Sequence, residues 1–261
     1  MAKLKHFGYL KIKHFVVFIT ISVVLSCKNE KLNLEHIEGN RVSVDSSSLE
    51  VDSIQKFIKP YHDRIEEILN EPLAYSPKTI TKTDGQYNTT AGNLMADIVL
   101  QQTNPVFKKR TGNDLDFVLL NHGGIRATIS KGNVTARTAY EVMPFENTVV
   151  VAELKGTTIS KMLDYLIKAK RAHPLAGVEL ALNKDGSVKS FSIGGAALDL
   201  DRNYFVATSN YLITGGDNMN FFKEYVSITE TGYKIRNAMI DYFTKVDTLA
   251  PRIDSRFYQL Q

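Results

Sequence analysis

The sequence predicts an α+β fold, a layered mixed α/β domain over residues 49–261. Segments with the apolar spacing of helices mix, without strict alternation, with short apolar runs typical of buried strands. The composition, 43% hydrophobic and 23% charged, is that of a globular protein. A stretch of about 210 residues is long enough to bury a sizeable core, so we expect one domain.

The first part of this domain is predicted to contain two helices and a strand. Apolar residues from Val51 to Leu69 recur at helical spacing, and Pro60 is expected to kink or divide that helix. A second helix is predicted to start near Thr90. The run L-D-F-V-L-L (115–120) then predicts a buried strand.

The second part continues with a short helix. Thr135 is a suitable cap for a helix that runs through Val142 and stops at Pro144. The elements expected after it are a strand at 148–154, a helix from Gly156 to about Lys170, a hairpin turn at 183–186, a strand at 204–209, a loop at 210–218 and a last helix over roughly 232–246.

The first 26 residues have the pattern of a secretory signal peptide. Four lysines and no acidic residue lie among them, and the lysines precede an apolar run of 11 residues, Phe15 to Leu25. This run is too short to cross a bilayer as a mature helix, which needs roughly 20 residues. Removal of residues 1–26 lowers the formal charge from +4 to 0. We therefore expect no nucleic-acid polymer as a partner, since such a partner requires clustered positive charge.

The run ends in V-L-S-C, and Cys27 is the only cysteine of the chain. V-L-S-C resembles the bacterial lipobox, in which the cysteine is lipidated and becomes the first mature residue. The alternative is a buried hydrophobic cysteine within a cleaved signal or an N-terminal anchor. The lipobox interpretation predicts a membrane-anchored protein of the cell envelope, on the periplasmic or outer-membrane side, with residues 27–48 as a flexible tether.

A polar, glycine-rich stretch, N-H-G-G-I-R (121–126), directly follows a predicted strand. Gly123 and Gly124 let a ligand approach the backbone closely. Arg126 offers a fork of donors, and Asn121 can both donate and accept. A tight turn with a surface arginine would have the same pattern. An esterase oxyanion loop is excluded because the chain has no G-x-S-x-G.

Two later stretches add aromatic rings and a carboxylate. Phe145 lies in Y-E-V-M-P-F-E-N, just before a predicted strand, where core packing is the plain alternative. Tyr211 and Asp217 lie in S-N-Y-L-I-T-G-G-D, where Asp217 could bind a ribose diol or merely close a turn. Rings for a base together with polar groups for a sugar would suit a nucleoside.

Four ordered motifs over roughly residues 75–245 resemble the C-terminal domain of the 5′-nucleotidase family. They are T-A-G-N-L-M-A-D, N-H-G-G-I-R, K-G-N-V-T-A-R-T-A-Y-E-V-M-P-F-E-N and N-Y-L-I-T-G-G-D. The resemblance implies the fold of that domain and its role in binding the substrate. It implies that the rings of Phe145 and Tyr211 sandwich the base. It assigns the remaining contacts to Arg126 and Asp217 on the ribose or phosphate side, Asn121 on the base, and Gly123 and Gly124 through their backbone.

Two positions depart from the family pattern. His122 stands where the family usually has glycine. Family members also commonly carry an arginine just before the T-A-G-N-like stretch, but here T-D-G-Q-Y-N (83–88) has none. This second departure predicts weaker contact with sugar or phosphate, or a different ligand.

The family's hydrolytic chemistry belongs to an N-terminal metallophosphatase domain with two metal ions. Motifs of the types D-x-H, G-N-H-[DE] and G-H-x-H do not occur in this chain, and fewer than 50 residues separate Cys27 from the start of the resemblance. We therefore expect no catalytic residue, metal ligand or cofactor in this chain. The resemblance implies that a separate metallophosphatase chain holds the divalent metals.

Two main hypotheses follow for the function. In the first, the chain recognises a nucleoside or nucleotide for a split 5′-nucleotidase, with a separate metallophosphatase chain, in nucleotide catabolism. In the second, it is a stand-alone lipoprotein that binds a nucleoside or nucleotide. A degenerate domain with a structural or interaction role is a further alternative.

Overall fold

The computed structural model describes residues 12–21, 34–45 and 48–261. The chain divides into two units, Met1–Asp52 and Ser53–Gln261. In the first unit, residues 12–21 are helical and residues 34–45 form neither helix nor strand. Cys27 and the end of the predicted signal peptide lie outside the described residues. None of the helices that are described is both long and apolar enough to cross a membrane.

The described residues contain one helix in the first unit, α1 (12–21), and further helices throughout the second. Those of the described residues are α1 (12–21), α2 (Asp52–Asn70), α3 (Thr90–Thr111), α4 (Ala136–Val142), α5 (Gly156–Ala169), α6 (Asn210–Ile213) and α7 (Ile235–Phe243). The predicted starts at Thr90 and after Thr135 are confirmed. The Thr135 hydroxyl accepts from the backbone of Thr138, whose side chain binds the Thr135 backbone in return, which completes a capping box.

Most strands of the described residues are short. They are β1 (Pro72–Ser76), β2 (Phe117–Leu119), β3 (Gly132–Thr135), β4 (Thr148–Lys155), β5 (Leu175–Ala176), β6 (Val178–Leu182), β7 (Val188–Ile193), β8 (Ala196–Ala197), β9 (Asn203–Ser209), β10 (Ser227–Lys234) and β11 (Phe257–Gln259). The predicted strands around 115–120, 148–154 and 204–209 are confirmed, and the hairpin turn at 183–186 joins β6 to β7.

The largest sheet has the strand order β10-β4-β9-β2-β5. Its neighbours are antiparallel except β9 and β2, which run parallel. A second sheet has the order β11-β6-β7-β8, and β1 pairs with β3. Mixed pairing together with helices on the sheet confirms the predicted α+β class.

The largest sheet separates two hydrophobic cores. Phe117 and Leu119 of β2 point into the core shared with α5 and the second sheet, whereas Val118 points into the core shared with α3, α4 and α7. Alternate residues of a strand face opposite sides of a sheet, so every central strand contributes to both cores. The fold is therefore layered, with this sheet in the middle.

Three predictions about elements are corrected by the structure. Of the two effects predicted for Pro60, division of the helix is wrong, because α2 runs through Pro60 without a break; a kink stays a prediction. The helix is exposed, so water can satisfy the carbonyl that proline leaves unbonded. The predicted loop at 210–218 contains α6, which Ser209 caps through the Leu212 amide. The last helix starts at Ile235 rather than near 232, because residues 227–234 form the edge strand β10.

Candidate functional site

The strand order brings three separate loops to one edge of the largest sheet. Because β2 and β9 run parallel, their carboxyl ends meet at the same edge, and antiparallel β4 begins there. Asn121 follows β2, Tyr211 follows β9, and Phe145 precedes β4. Crevices at the carboxyl ends of strands are common ligand sites.

A cavity of about 320 Å³ lies between these loops. Its size falls within the roughly 300–1,000 Å³ typical of small-molecule sites. Its lining residues are Asn121, Gly123, Gly124, Arg126, Phe145, Asn147, Tyr211 and Asp217. All seven site residues predicted from the sequence thus surround one cavity. Their roles toward a ligand stay predictions.

The turn after β2 is shaped around the Asn121 side chain. Residues His122–Gly124 form one 3₁₀ turn. A Cβ atom on Gly123 would lie 3.3 Å from Asn121 Nδ2, and one on Gly124 would lie 3.0 Å from Asn121 Oδ1. The two glycines therefore leave room for the amide of Asn121 as well as for a ligand.

Asp217 joins two walls of the cavity. Its Oδ2 atom accepts from Asn121 Nδ2 at 2.8 Å, and its Oδ1 atom accepts from Tyr211 Oη at 3.1 Å. Its backbone carbonyl accepts from Tyr165 Oη at 2.9 Å, and its φ of 52° is left-handed. A carboxylate has about four acceptor positions, so two stay open to a ligand.

The two rings of the cavity are accessible. Phe145 is 41% exposed and Tyr211 is 44% exposed. The Arg126 guanidinium lies 5.8 Å from the centre of the Phe145 ring. Tyr211 packs so closely on Gly216 that a Cβ atom there would lie 2.5 Å from the ring. Both rings thus line the cavity and keep exposed surface that a flat ligand can contact.

A buried arginine supports the Phe145 wall from behind. The Arg236 side chain is 5% exposed and donates to the carbonyls of Pro144 and Phe145 at 3.3 and 3.5 Å. It also forms an ion pair with Glu146, as does Lys234. Arg236 and Lys234 lower the pKa of Glu146 to about 2. The hydrogen bonds of Arg236 and its ion pair with Glu146 therefore hold the backbone that carries Phe145.

We expect Glu146→Gln to lower the melting temperature at pH 7 and to have less effect near pH 2. An unfolded glutamate titrates near 4.3, so the depressed folded pKa stabilises the chain above that pH. This contribution is lost as the pH falls through the folded pKa. Thermal unfolding followed by circular dichroism at several pH values measures it, with exposed Glu141→Gln as the control. If Glu146→Gln lowered the melting temperature by the same amount at every pH, the stabilising ion pair would be contradicted.

Sequence reasoning missed two residues at the site. Asn147 lines the cavity, and its position directly before β4, at the shared sheet edge, is the signal that could have found it. Lys82 donates from Nζ to the carbonyl of Ile125 at 2.5 Å, next to Arg126. Burial and, less strongly, the charge of Arg126 lower the Lys82 pKa. Two cations thus lie close together here.

The two departures from the family pattern lie outside the cavity lining. The His122 amide donates to His173 Nδ1 at 3.3 Å, and its ring Nδ1 lies 3.0 Å from the carbonyl of Ala172. In the segment 83–88, Tyr87 donates to Gln259 at 2.7 Å and Asn88 to the carbonyl of Phe257 at 2.8 Å. This segment therefore fastens the C-terminal strand β11.

The two-metal site that the family resemblance implies does not fit the described part of this chain. Within those ranges, no three His, Cys, Asp or Glu side chains gather closely enough to hold a metal ion. His62 and Asp63, adjacent on α2, are exposed and interact with each other. We therefore derive no step through a metal from the residues described.

Residues 71–224 match the model of a family described as "5′-nucleotidase, C-terminal domain". Among curated proteins, the chain is 28% identical to the trifunctional nucleotide phosphoesterase protein YfkN of Bacillus subtilis, with 100% of this chain and 18% of that protein covered. It is 26% identical to the 5′-nucleotidase of Vibrio cholerae, over 78% of this chain and 36% of the relative.

Solved structures are similar over the same region. The 5′-nucleotidase precursor of Thermus thermophilus superposes with a TM-score of 0.66 at 25% identity, covering 80% of this chain and 43% of that one. The NAD nucleotidase of Haemophilus influenzae, at 19% identity and TM-score 0.62, shares the fold over 81% of this chain and 42% of its own. The chain spans less than half the length of these proteins.

Proposed function

The chain belongs to the family of the 5′-nucleotidase C-terminal domain, and from this we propose that its cavity binds the nucleoside part of a nucleotide. One observation carries the proposal: two accessible rings, two side-chain amides, a guanidinium and a carboxylate line the same cavity. Few other ligands combine a flat aromatic group, a diol and an anion. A nucleotide presents all three.

The lining suggests a placement for each part of the ligand. The base would contact Phe145 and Tyr211, since base–aromatic stacking contributes about 1–3 kcal/mol per base. The ribose diol would donate to the open acceptor positions of Asp217. Arg126 of the lining and Lys82 beside it would attract the phosphate, because these two cations lie close together next to the carbonyl of Ile125. Lys82 would then supply positive charge in place of the arginine that the segment 83–88 lacks.

We further propose that hydrolysis takes place with a separate metallophosphatase chain that holds the divalent metals. The relatives carry names of nucleotide hydrolases, while the metal-binding motifs expected of the catalytic domain do not occur in this sequence. Two-metal hydrolases activate water between their metals. This chain would contribute recognition of the nucleotide, in nucleotide catabolism.

The cell envelope is the proposed location, through lipid at Cys27. The lipobox-like V-L-S-C and the basic, apolar leader support it. Membrane fractionation of the wild type and of Cys27→Ser tests the anchor. A Cys27→Ser chain that stays with the membranes would contradict it.

Calorimetric titration of the purified full-length chain with adenosine and AMP tests the proposal, with phosphate release assayed on the same sample plus divalent metal. We expect both ligands to bind and no phosphate to appear. Phosphate release would show that this chain carries the chemistry. If neither ligand binds, the cavity does not serve adenine nucleosides.

The same titration can separate a contribution of Arg126 to phosphate binding from a contribution to nucleoside binding. Arg126→Gln should weaken AMP binding by about 1.5–3 kcal/mol, the usual size of a hydrogen bond to a charged group, and leave adenosine binding nearly unchanged. Exposed Arg252→Gln, away from the cavity, is the matched control. An equal loss of affinity for both ligands would show that Arg126 stabilises the cavity wall and does not bind the phosphate.

A further inference from the structure

His173 is a buried histidine that has no part in the binding scheme proposed above. It lies in the connection between α5 and β5 and is 3% exposed. The His122 amide donates to its Nδ1 atom at 3.3 Å, and the centre of the Tyr165 ring lies 5.6 Å from the centre of its imidazole. His173 thus contacts the turn His122–Gly124, although it does not line the cavity.

The contact with His122 replaces a bond between backbones. Strands β2 and β5 pair antiparallel, and just beyond them the Leu120 amide donates to the carbonyl of Pro174 at 2.9 Å. Proline has no amide to return that bond. In a regular antiparallel ladder the His122 amide would donate next to the Ala172 carbonyl. Here that carbonyl lies 3.0 Å from His122 Nδ1, and the amide donates to His173 instead. Two histidine side chains therefore continue the pairing where the backbone ladder ends.

The protonation state of His173 suits an acceptor. Burial lowers the pKa of its imidazole to about 4, so the ring is neutral at pH 7. Because Nδ1 accepts from the His122 amide, the proton of the neutral ring lies on Nε2. Nε2 is buried and has no hydrogen-bond partner among the residues that the structure describes. A buried polar atom without a partner lowers stability, so packing alone does not account for a histidine at this position.

Contacts lead from His173 to Asp217 along two routes. On the first, the turn that His173 holds begins at Asn121, whose Nδ2 atom donates to Asp217 Oδ2 at 2.8 Å. On the second, Tyr165 packs on the His173 ring and donates from Oη to the Asp217 carbonyl at 2.9 Å. One buried ring therefore contacts the supports of two polar side chains of the cavity.

We propose that His173 is a positioning residue of the nucleoside site: its Nδ1 atom fixes the turn after β2, and this holds the Asn121 amide against Asp217. This inference rests on the proposed function of the cavity. An apolar side chain in place of His173 leaves the His122 amide without its acceptor and the turn less ordered. A ligand then has to order the turn as it binds, which lowers its affinity.

NMR of the full-length chain tests the hold on the turn without any ligand. Long-range ¹⁵N spectra show which imidazole nitrogen of His173 carries the proton; we expect Nε2–H at pH 7, and an Nδ1–H tautomer would overturn the proposal. Exchange of the His122 amide with solvent should be about tenfold faster in His173→Leu, which has no acceptor. It should stay near the wild-type rate in His173→Asn, because asparagine Oδ1 is an acceptor bonded to Cγ, as histidine Nδ1 is.

Calorimetric titration with adenosine tests the effect on the site. We expect an affinity about tenfold lower for His173→Leu and close to wild type for His173→Asn. Tyr87→Phe is the matched control, because it removes one hydrogen bond of a buried side chain, to Gln259 at 2.7 Å, outside the cavity lining. It should lower the melting temperature and leave the affinity unchanged.

Two results of the titration would contradict the positioning role. They are an unchanged affinity in His173→Leu and an equal loss in His173→Leu and His173→Asn, since the second would assign the effect to packing. If the wild-type chain does not bind adenosine, the proposed function fails. The tautomer and the exchange rate of the His122 amide still decide whether His173 holds the turn.

Discussion

Replacement of either ring of the cavity by alanine is expected to weaken adenosine binding by about 1–3 kcal/mol, with little change in the free energy of unfolding. Phe145 and Tyr211 are each more than two-fifths exposed, so their removal opens no cavity in a core. The loss in binding comes from the stacking area that each ring offers to the base. Isothermal titration with adenosine measures this loss.

Two further variants make this result specific. Tyr211→Phe keeps the ring but loses the hydroxyl that donates to Asp217 at 3.1 Å, and it separates stacking from positioning of the carboxylate. Tyr225→Ala, at a side chain 45% exposed outside the cavity lining, is the matched control. Unchanged affinity in both Phe145→Ala and Tyr211→Ala would rule out a base held by these rings.

The second large effect is expected for Asp217→Asn, which should weaken adenosine binding by about 1.5–3 kcal/mol per diol bond lost. The carboxylate only accepts, whereas the amide presents donors toward the ribose hydroxyls. Asparagine is the suitable substitute because it tolerates the left-handed backbone of this position. The folded turn should therefore survive the change.

A ligand without the diol provides the decisive comparison. Binding of 2′,3′-dideoxyadenosine should be weaker to begin with and insensitive to Asp217→Asn. Asp164→Asn, on an exposed part of α5, is the control for the loss of a negative charge. If Asp217→Asn weakens both ligands equally, the residue acts on the turn and not on the ribose.

Local signals in the sequence were sufficient for several elements. The Thr135 cap and the stop at Pro144 bracket α4, and short, nearly continuous apolar runs mark β4 and β9. Local signals failed at β10, an edge strand with a half-exposed, mostly polar sequence that resembles the start of the next helix. They failed as well at α6, where one hydroxyl, that of Ser209, caps a helix of four residues.

The site was predictable residue by residue, but its location in the fold was not. The motifs resemble those of a family, and this named seven of the lining residues. Their meeting depends on β2 pairing with β9, which joins Phe117 to Val206 across the sequence. Asn147 and Lys82 were missed because their positions follow from that pairing and from the turn beside Ile125.

The hydrogen bonds around Asp217 have a consequence for how binding would proceed. Asn121, Tyr165 and Tyr211, all of this chain, hold that residue in place. A site organised in advance loses little conformational entropy when a ligand enters, so more of the contact energy appears as affinity. Under the proposed function, the recognition surface would therefore be ready before a catalytic partner arrives, and such a partner could come and go between turnovers without dismantling it.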